Sequence, residues 1–291
     1  MATKKFKVGF FVGCVGAGGR DGRVSQTLLD LSQQLQCQSI VSGDVSYQIR
    51  ELIPFNNGAS FRGVFAKIRT TDIPHIGSTG GEEREIDLDD DEGVIEKNHF
   101  LYYRQNELLV YQSNGNGSTV EAFGRYFSDI LNHTTVFNAI LKADAMRRMM
   151  SADLEPRTIE LSVARPTNPD LYPNDDWSSE LFGLMAGIDG FKARIKISAE
   201  GAGRSRGRLM DRAKRVAAAL VNSGNANIAR IKMAGVEQPI DLIADRVIAQ
   251  VSVEMNGRYP VSDEMFRALG EAKNQLAEDL DAVLGGQNAL D

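Results

Sequence analysis

Cysteine is nearly missing from this chain: Cys14 and Cys37 are the only two in 291 residues. That excludes a disulfide framework, and buried free thiols are the expected state. Histidine is equally sparse, and His75, His99 and His133 are scattered without metal-ligand spacing. No apolar run approaches the roughly 18 residues of a membrane span, and the start MATKKFKVGFF passes straight into a strand pattern. The expectation is a cytoplasmic protein with no membrane segment of its own. Overall positive charge is lacking too, since the formal net charge is −6.

Against that acidic background, positive charge is gathered in one place. From Phe191 to Met233 the chain carries eleven Lys/Arg and two acids. In FKARIKI, Lys192, Arg194 and Lys196 alternate with Phe191, Ala193, Ile195 and Ile197, the period of a half-buried strand with one cationic face. In IARIKM, Arg230 and Lys232 share one face and Ala229, Ile231 and Met233 the other. Two further segments alternate in the same way: Ile159, Leu161 and Val163 oppose Thr158, Glu160 and Ser162, and Val247, Ala249, Val251 and Val253 oppose Gln250, Ser252 and Glu254.

Helical patterns lie between and beyond these strands. RLMDRAKRVAAALVNSG places Leu209, Ala213, Val216 and Leu220 on one stripe and Arg208, Arg212 and Arg215 on another, and Gly224 ends it. A second helix is expected from about Asp175 to Met185, and a third from Val261 to Leu284 with Ser262 as N-cap. The simplest packing is a four-stranded, mostly antiparallel sheet with all three helices on its apolar face. Its other face is then polar and basic, a docking surface for a polyanion. An ordinary solvated face, or one that meets an acidic protein, fits the same pattern.

One acidic candidate lies within the chain. From Glu82 to Glu96 there are nine acids against Arg84, able to cover the basic face in cis or from a second subunit. The run lacks the Gly-centred alternation of a calcium loop.

The first half reads as a separate α+β domain. Phe6 to Val12, Tyr47 to Ile53 and Val64 to Arg69 are strand patterns, and Val24 to Leu35 is an amphipathic helix. HFLYYRQNELLVYQS predicts a hairpin turning near Gln105 and Asn106. Ser118-Thr-Val-Glu121 predicts a capping box before a helix through Val120, Phe123, Phe127 and Ile130. A boundary near Asn132 to Thr135 divides the chain into residues 1–133 and 134–291, giving an α+β, two-domain expectation.

Signs of catalysis are few. Gly13, Gly16, Gly18, Gly19 and Gly22 follow the first strand, but a G-x-G-x-x-G count from Gly16 ends on Asp21, whose carboxylate repels a pyrophosphate. A linker or DNA-touching loop with Arg20 and Arg23 fits better. Asp175, Asp176 and Glu180 beside Trp177 match the usual acid preference of a first helical turn. No cofactor, metal or catalytic residue is expected.

The order of KVGFFVGCVGAGGRDGRVSQTLLDL, the acidic run, HFLYYRQNELLVYQSNGNGSTVEAFGRYFSDIL and IKISAEGAGRSRGRLMDRAKRV resembles RexA-type phage-exclusion proteins. It is more distantly similar to KwaB-type defence subunits. The resemblance implies a homodimeric α+β protein with an architecture akin to the recombination regulator RdgC. It implies sequence-tolerant binding of double-stranded DNA in phage exclusion or prophage maintenance, with a further defence-system protein as a possible partner. The residues expected to touch DNA are Lys192, Arg194, Lys196, Arg204, Arg206, Arg208, Arg212, Arg215, Arg230 and Lys232. Gly201, Gly203 and Gly207 let the backbone of their loop approach phosphate closely.

Overall fold

Strands dominate, as the repeated two-residue alternation requires. The computed structural model describes residues 2–15, 23–34, 37–142, 156–164, 176–190, 192–199, 226–233, 239–241 and 243–284. Among them the fold is α+β, with antiparallel sheets and five helices. The chain divides into two compact units, Met1–Thr135 with Ile248–Gln275, and Val136–Val247 with Leu276–Asp291. A single cut near residue 133 therefore does not describe it, because residues 248–275 return to the first unit.

The strands in chain order are β1 (Thr3–Val15), β2 (Ser39–Ser42), β3 (Val45–Phe55), β4 (Ser60–Arg69), β5 (Ile76–Gly77), β6 (Glu83–Arg84), β7 (Val94–Tyr103) and β8 (Leu108–Ser113), followed by β9 (Thr135–Ala139), β10 (Pro156–Ala164), β11 (Lys192–Ser198), β12 (Ala226–Met233), β13 (Ile240–Asp241), β14 (Ile248–Asn256) and β15 (Tyr259–Pro260). The helices are α1 (Val24–Ser32), α2 (Val120–Leu131), α3 (Asp176–Gly187), α4 (Ser262–Gln275) and α5 (Ala277–Leu284).

In the first unit the order is β15-β14-β1-β8-β7-β4-β3-β2. Its central strands are buried on both faces, so they read as continuous apolar runs. Phe100 and Tyr102 on β7 point one way and His99 and Tyr103 the other. On the first side Phe123 of α2 packs against Phe65, Phe100 and Tyr111 with ring centroids 5.0, 5.1 and 5.8 Å apart. On the second side α4 sets Phe266 at 5.2 Å from the His99 ring and Lys273 at 4.2 Å over Tyr103. His99 also anchors the start of α4. Gln112 Oε1 accepts from the His99 amide at 2.9 Å and lies 2.8 Å from Nδ1, which leaves Nε2 to accept from the Ser262 hydroxyl at 3.1 Å.

The β7–β8 hairpin forms as expected, closing on Tyr103 opposite Leu108. The cap of α2 lies one residue later than the expected box. Thr119 Oγ1 accepts from the Ala122 amide at 3.3 Å, because Ser118 is buried and its amide is tied to Asn98 Oδ1 at 2.6 Å. Both cysteines are exposed rather than buried. They sit at element ends, Cys14 near the close of β1 and Cys37 just before β2.

Three further expectations about the C-terminal half are corrected. Residues 248–256 are not a strand of the basic sheet: β14 pairs with β1 from Thr3 opposite Glu254 to Gly9 opposite Ile248. Alternation shows which face is buried, and it is silent about the neighbour. The pattern from Val261 to Leu284 is two helices, α4 and α5, broken where the chain passes between units. And α4 covers β7, β8 and β14 instead of the basic sheet. The expected helix from Asp175 is α3, beginning at Asp176, whereas the stretch 208–224 lies outside the described residues.

Candidate nucleic-acid interface

Register decides whether cations from separate strands converge. In the second unit β10 to β13 form an antiparallel sheet in the order β11-β10-β12-β13. Across β10 and β11, Glu160 lies opposite Lys196, Ser162 opposite Arg194 and Ala164 opposite Lys192. Across β10 and β12, Thr158 lies opposite Lys232 and Glu160 opposite Arg230. Residues directly opposite share a face, so Lys192, Arg194, Lys196, Arg230 and Lys232 emerge together, and all five are exposed. The reverse face holds Ile159, Leu161, Val163, Ala229, Ile231 and Met233, each buried. That burial pins the register, because a one-residue slip would turn the apolar set outward.

The cations are spaced about 6.7 Å apart along each strand, and β11 and β12 lie about 9.6 Å apart with β10 between them. The strands β10 to β13 contain no aromatic residue. Arg204, Arg206, Arg208, Arg212 and Arg215, the remaining expected contacts, lie outside the described residues.

Two carboxylates temper the field, and alternation alone did not announce their effect. Glu160 Oε1 accepts from Arg194 Nε at 3.1 Å and also from its terminal nitrogen. The Arg194 hydrogen bond holds the Glu160 carboxyl below the ordinary range against partial desolvation, helped by the charges of Arg194, Arg230 and Lys196. Asp241 Oδ2 pairs with Arg230 Nε at 3.0 Å, while Oδ1 accepts from the Ile243 and Ala244 amides at 3.0 Å each. Burial opposes its ionisation, yet the Ala244 amide, Arg230 and the Ile243 amide outweigh that and leave its pKa lowered. The two-residue strand carrying Asp241 is too short for any periodic signal. Lys192, Lys196 and Lys232 make no ion pair among the described residues. Among the described residues the face thus presents five cations against two carboxylates.

The glycine-rich turn is a weaker candidate. Gly16, Gly18, Gly19, Arg20 and Gly22 lie outside the described residues, and Arg23 is exposed. At the start of α1, where a phosphate would sit, the protein supplies its own anion. Glu107 accepts from the Ser25 amide at 3.3 Å, the Ser25 hydroxyl at 2.5 Å and the Tyr102 hydroxyl at 2.7 Å. Burial and then the Glu107 charge push the Tyr102 pKa well up, keeping that hydroxyl a donor.

The acidic run lies in the first unit. Its residues from Glu82 to Glu92 are exposed apart from half-buried Ile86 and Leu88. Glu96 is set apart on β7, bridging Lys67 and Arg69 at 3.0 Å each. No group of three or more His, Cys, Asp or Glu forms a metal-binding cluster among the described residues. None of the described helices is long and apolar enough to cross a membrane.

The model of a family of unknown function, DUF6731, matches residues 1–274, and the chain belongs to that family. No curated protein matches the chain.

Proposed function

We propose that this DUF6731 member is a non-catalytic, sequence-tolerant binder of double-stranded DNA whose contacts run from Lys and Arg to phosphate. The observation that carries the reading is the emergence of Lys192, Arg194, Lys196, Arg230 and Lys232 on one exposed sheet face. Phosphate contacts position a duplex without reading its sequence. The described strands of this face carry no aromatic side chain on which unpaired bases could stack, which favours duplex over single strand. Arg204, Arg206, Arg208, Arg212 and Arg215 are further phosphate contacts in this reading. The RexA-type resemblance adds a homodimer acting in phage exclusion or prophage maintenance alongside a further defence protein, and the compartment of this reading is the cytoplasm.

The test is duplex binding across a salt series. The three lysines that make no ion pair among the described residues alone supply a log–log slope of about −2.7. Changing Lys192, Lys196 and Lys232 together to Ala is expected to remove that slope. A flat salt response of the unaltered protein, or an unchanged slope in the triple variant, rejects the proposal. The competing reading is docking of an acidic protein. It is favoured by Glu160 and Asp241, which show that carboxylates fit among these cations, and it predicts no duplex retention at any salt.

A further inference from the structure

The basic sheet ends in an open strand. β11 is terminal in its sheet, so its outer backbone groups pair with no strand among the described residues. Such an edge templates the addition of another strand. This one is selective, because Lys192, Arg194 and Lys196 project to one face while half-buried Ala193, Ile195 and Ile197 project to the other. The complement is an extended segment with acids on one face and apolar side chains on the other.

The chain carries such a segment in residues 85–89. Glu85, Asp87 and Asp89 alternate with Ile86 and Leu88. In the first unit it lies outside any strand, with its three acids exposed. Among the described residues, no ladder or turn hydrogen bond engages the backbone of Ile86, Asp87 or Leu88. It is strand-patterned and unpaired, and its charge is opposite to that of β11.

We propose that residues 85–89 of a second copy add as an antiparallel strand to the outer edge of β11. Glu85 then faces Lys196, Asp87 faces Arg194 and Asp89 faces Lys192, while Ile86 meets Ile195 and Leu88 meets Ala193. Antiparallel addition continues the ladder that every strand pair in this sheet already uses. The added strand lays carboxylates over part of the face assigned to DNA, so self-association and duplex binding compete. That regulatory consequence rests on the DNA-binding reading, whereas the edge contact itself does not.

Sedimentation velocity of the full chain over a concentration series tests it, using Asp89→Lys, Lys192→Asp and the two combined. This pair is chosen because neither side chain has an ion pair of its own among the described residues. Each single reversal is expected to weaken self-association about tenfold, turning an opposite-charge cross-strand pair into a like-charge one. The combined swap restores it, and added salt weakens the wild type. A wild type that stays monomeric, single variants that associate like wild type, or a combined swap that fails to recover each overturn the proposal. Duplex binding by the same proteins separates the two claims. Asp89→Lys binds DNA at least as well as wild type, and Lys192→Asp binds it less well. Self-association that follows the charge swap in proteins that never bind duplex refutes the DNA reading and upholds the edge contact.

Discussion

Glu160 is the most exacting place to perturb the proposed interface. It sits on β10 between Lys196 on one neighbouring strand and Arg230 on the other, and it takes the Arg194 guanidinium as hydrogen-bond partner. Glu160→Gln keeps the size and the strand position but removes one of the two carboxylate charges on the face among the described residues and leaves the Arg194 charge uncompensated. One further phosphate can then be neutralised, which steepens the salt slope by about 0.9. Carried from 1 M to 0.1 M salt, that increment is about an eightfold gain in duplex affinity. Fluorescence anisotropy of a labelled duplex at four or more salt concentrations reads both quantities. Because the ion pair is solvent-exposed, the melting temperature should barely change. The acid limb has a definite sign. The folded Glu160 pKa lies below its unfolded value, so its stabilisation is present above about pH 4.3 and is lost as pH falls through the lowered folded value. The glutamine variant lacks that loss. Unchanged or weaker duplex binding by a folded Glu160→Gln protein would refute the reasoning.

Other outcomes follow from the first unit. Burial lowers the His99 pKa, against the Gln112 hydrogen bond and the Glu51 charge, with Lys97 adding to the lowering. The native state therefore holds fewer protons than the unfolded chain, and stability should fall as pH drops below about 6.5. Urea unfolding at several pH values should show that loss in wild type and not in His99→Asn, and parallel pH curves would refute it. Glu107→Ala removes the shared acceptor of the Ser25 amide and hydroxyl and of the Tyr102 hydroxyl, with an expected cost of about 1–3 kcal/mol in denaturant unfolding. Phe123→Ala empties the contact among Phe65, Phe100 and Tyr111 and should cost about 3–5 kcal/mol. A loss under 1 kcal/mol would show that this contact is not central to the core.

Much of the local structure was legible in the sequence. Alternation in IELSV, KARIKIS and IARIKM identified buried and exposed faces, and the polar break at Gln105 and Asn106 marked the hairpin. The cap of α2 was missed by one residue because Ser118 has a tertiary commitment to Asn98 that no local pattern contains. The carboxylate at the start of α1 was also out of sight, since Glu107 is 82 positions from Ser25.

By itself the amino-acid order determined side-chain sidedness: which residues of each strand meet the core, and that the cations of β11 and β12 oppose apolar partners. Only the tertiary structure decided adjacency. It placed β14 beside β1 instead of in the basic sheet, set Glu160 among the cations, and brought Asp241 to Arg230. Sidedness depends on the two-residue period of an extended backbone and is local. Strand neighbours are chosen by burial and hydrogen bonding between distant segments, and several strands here carry interchangeable patterns.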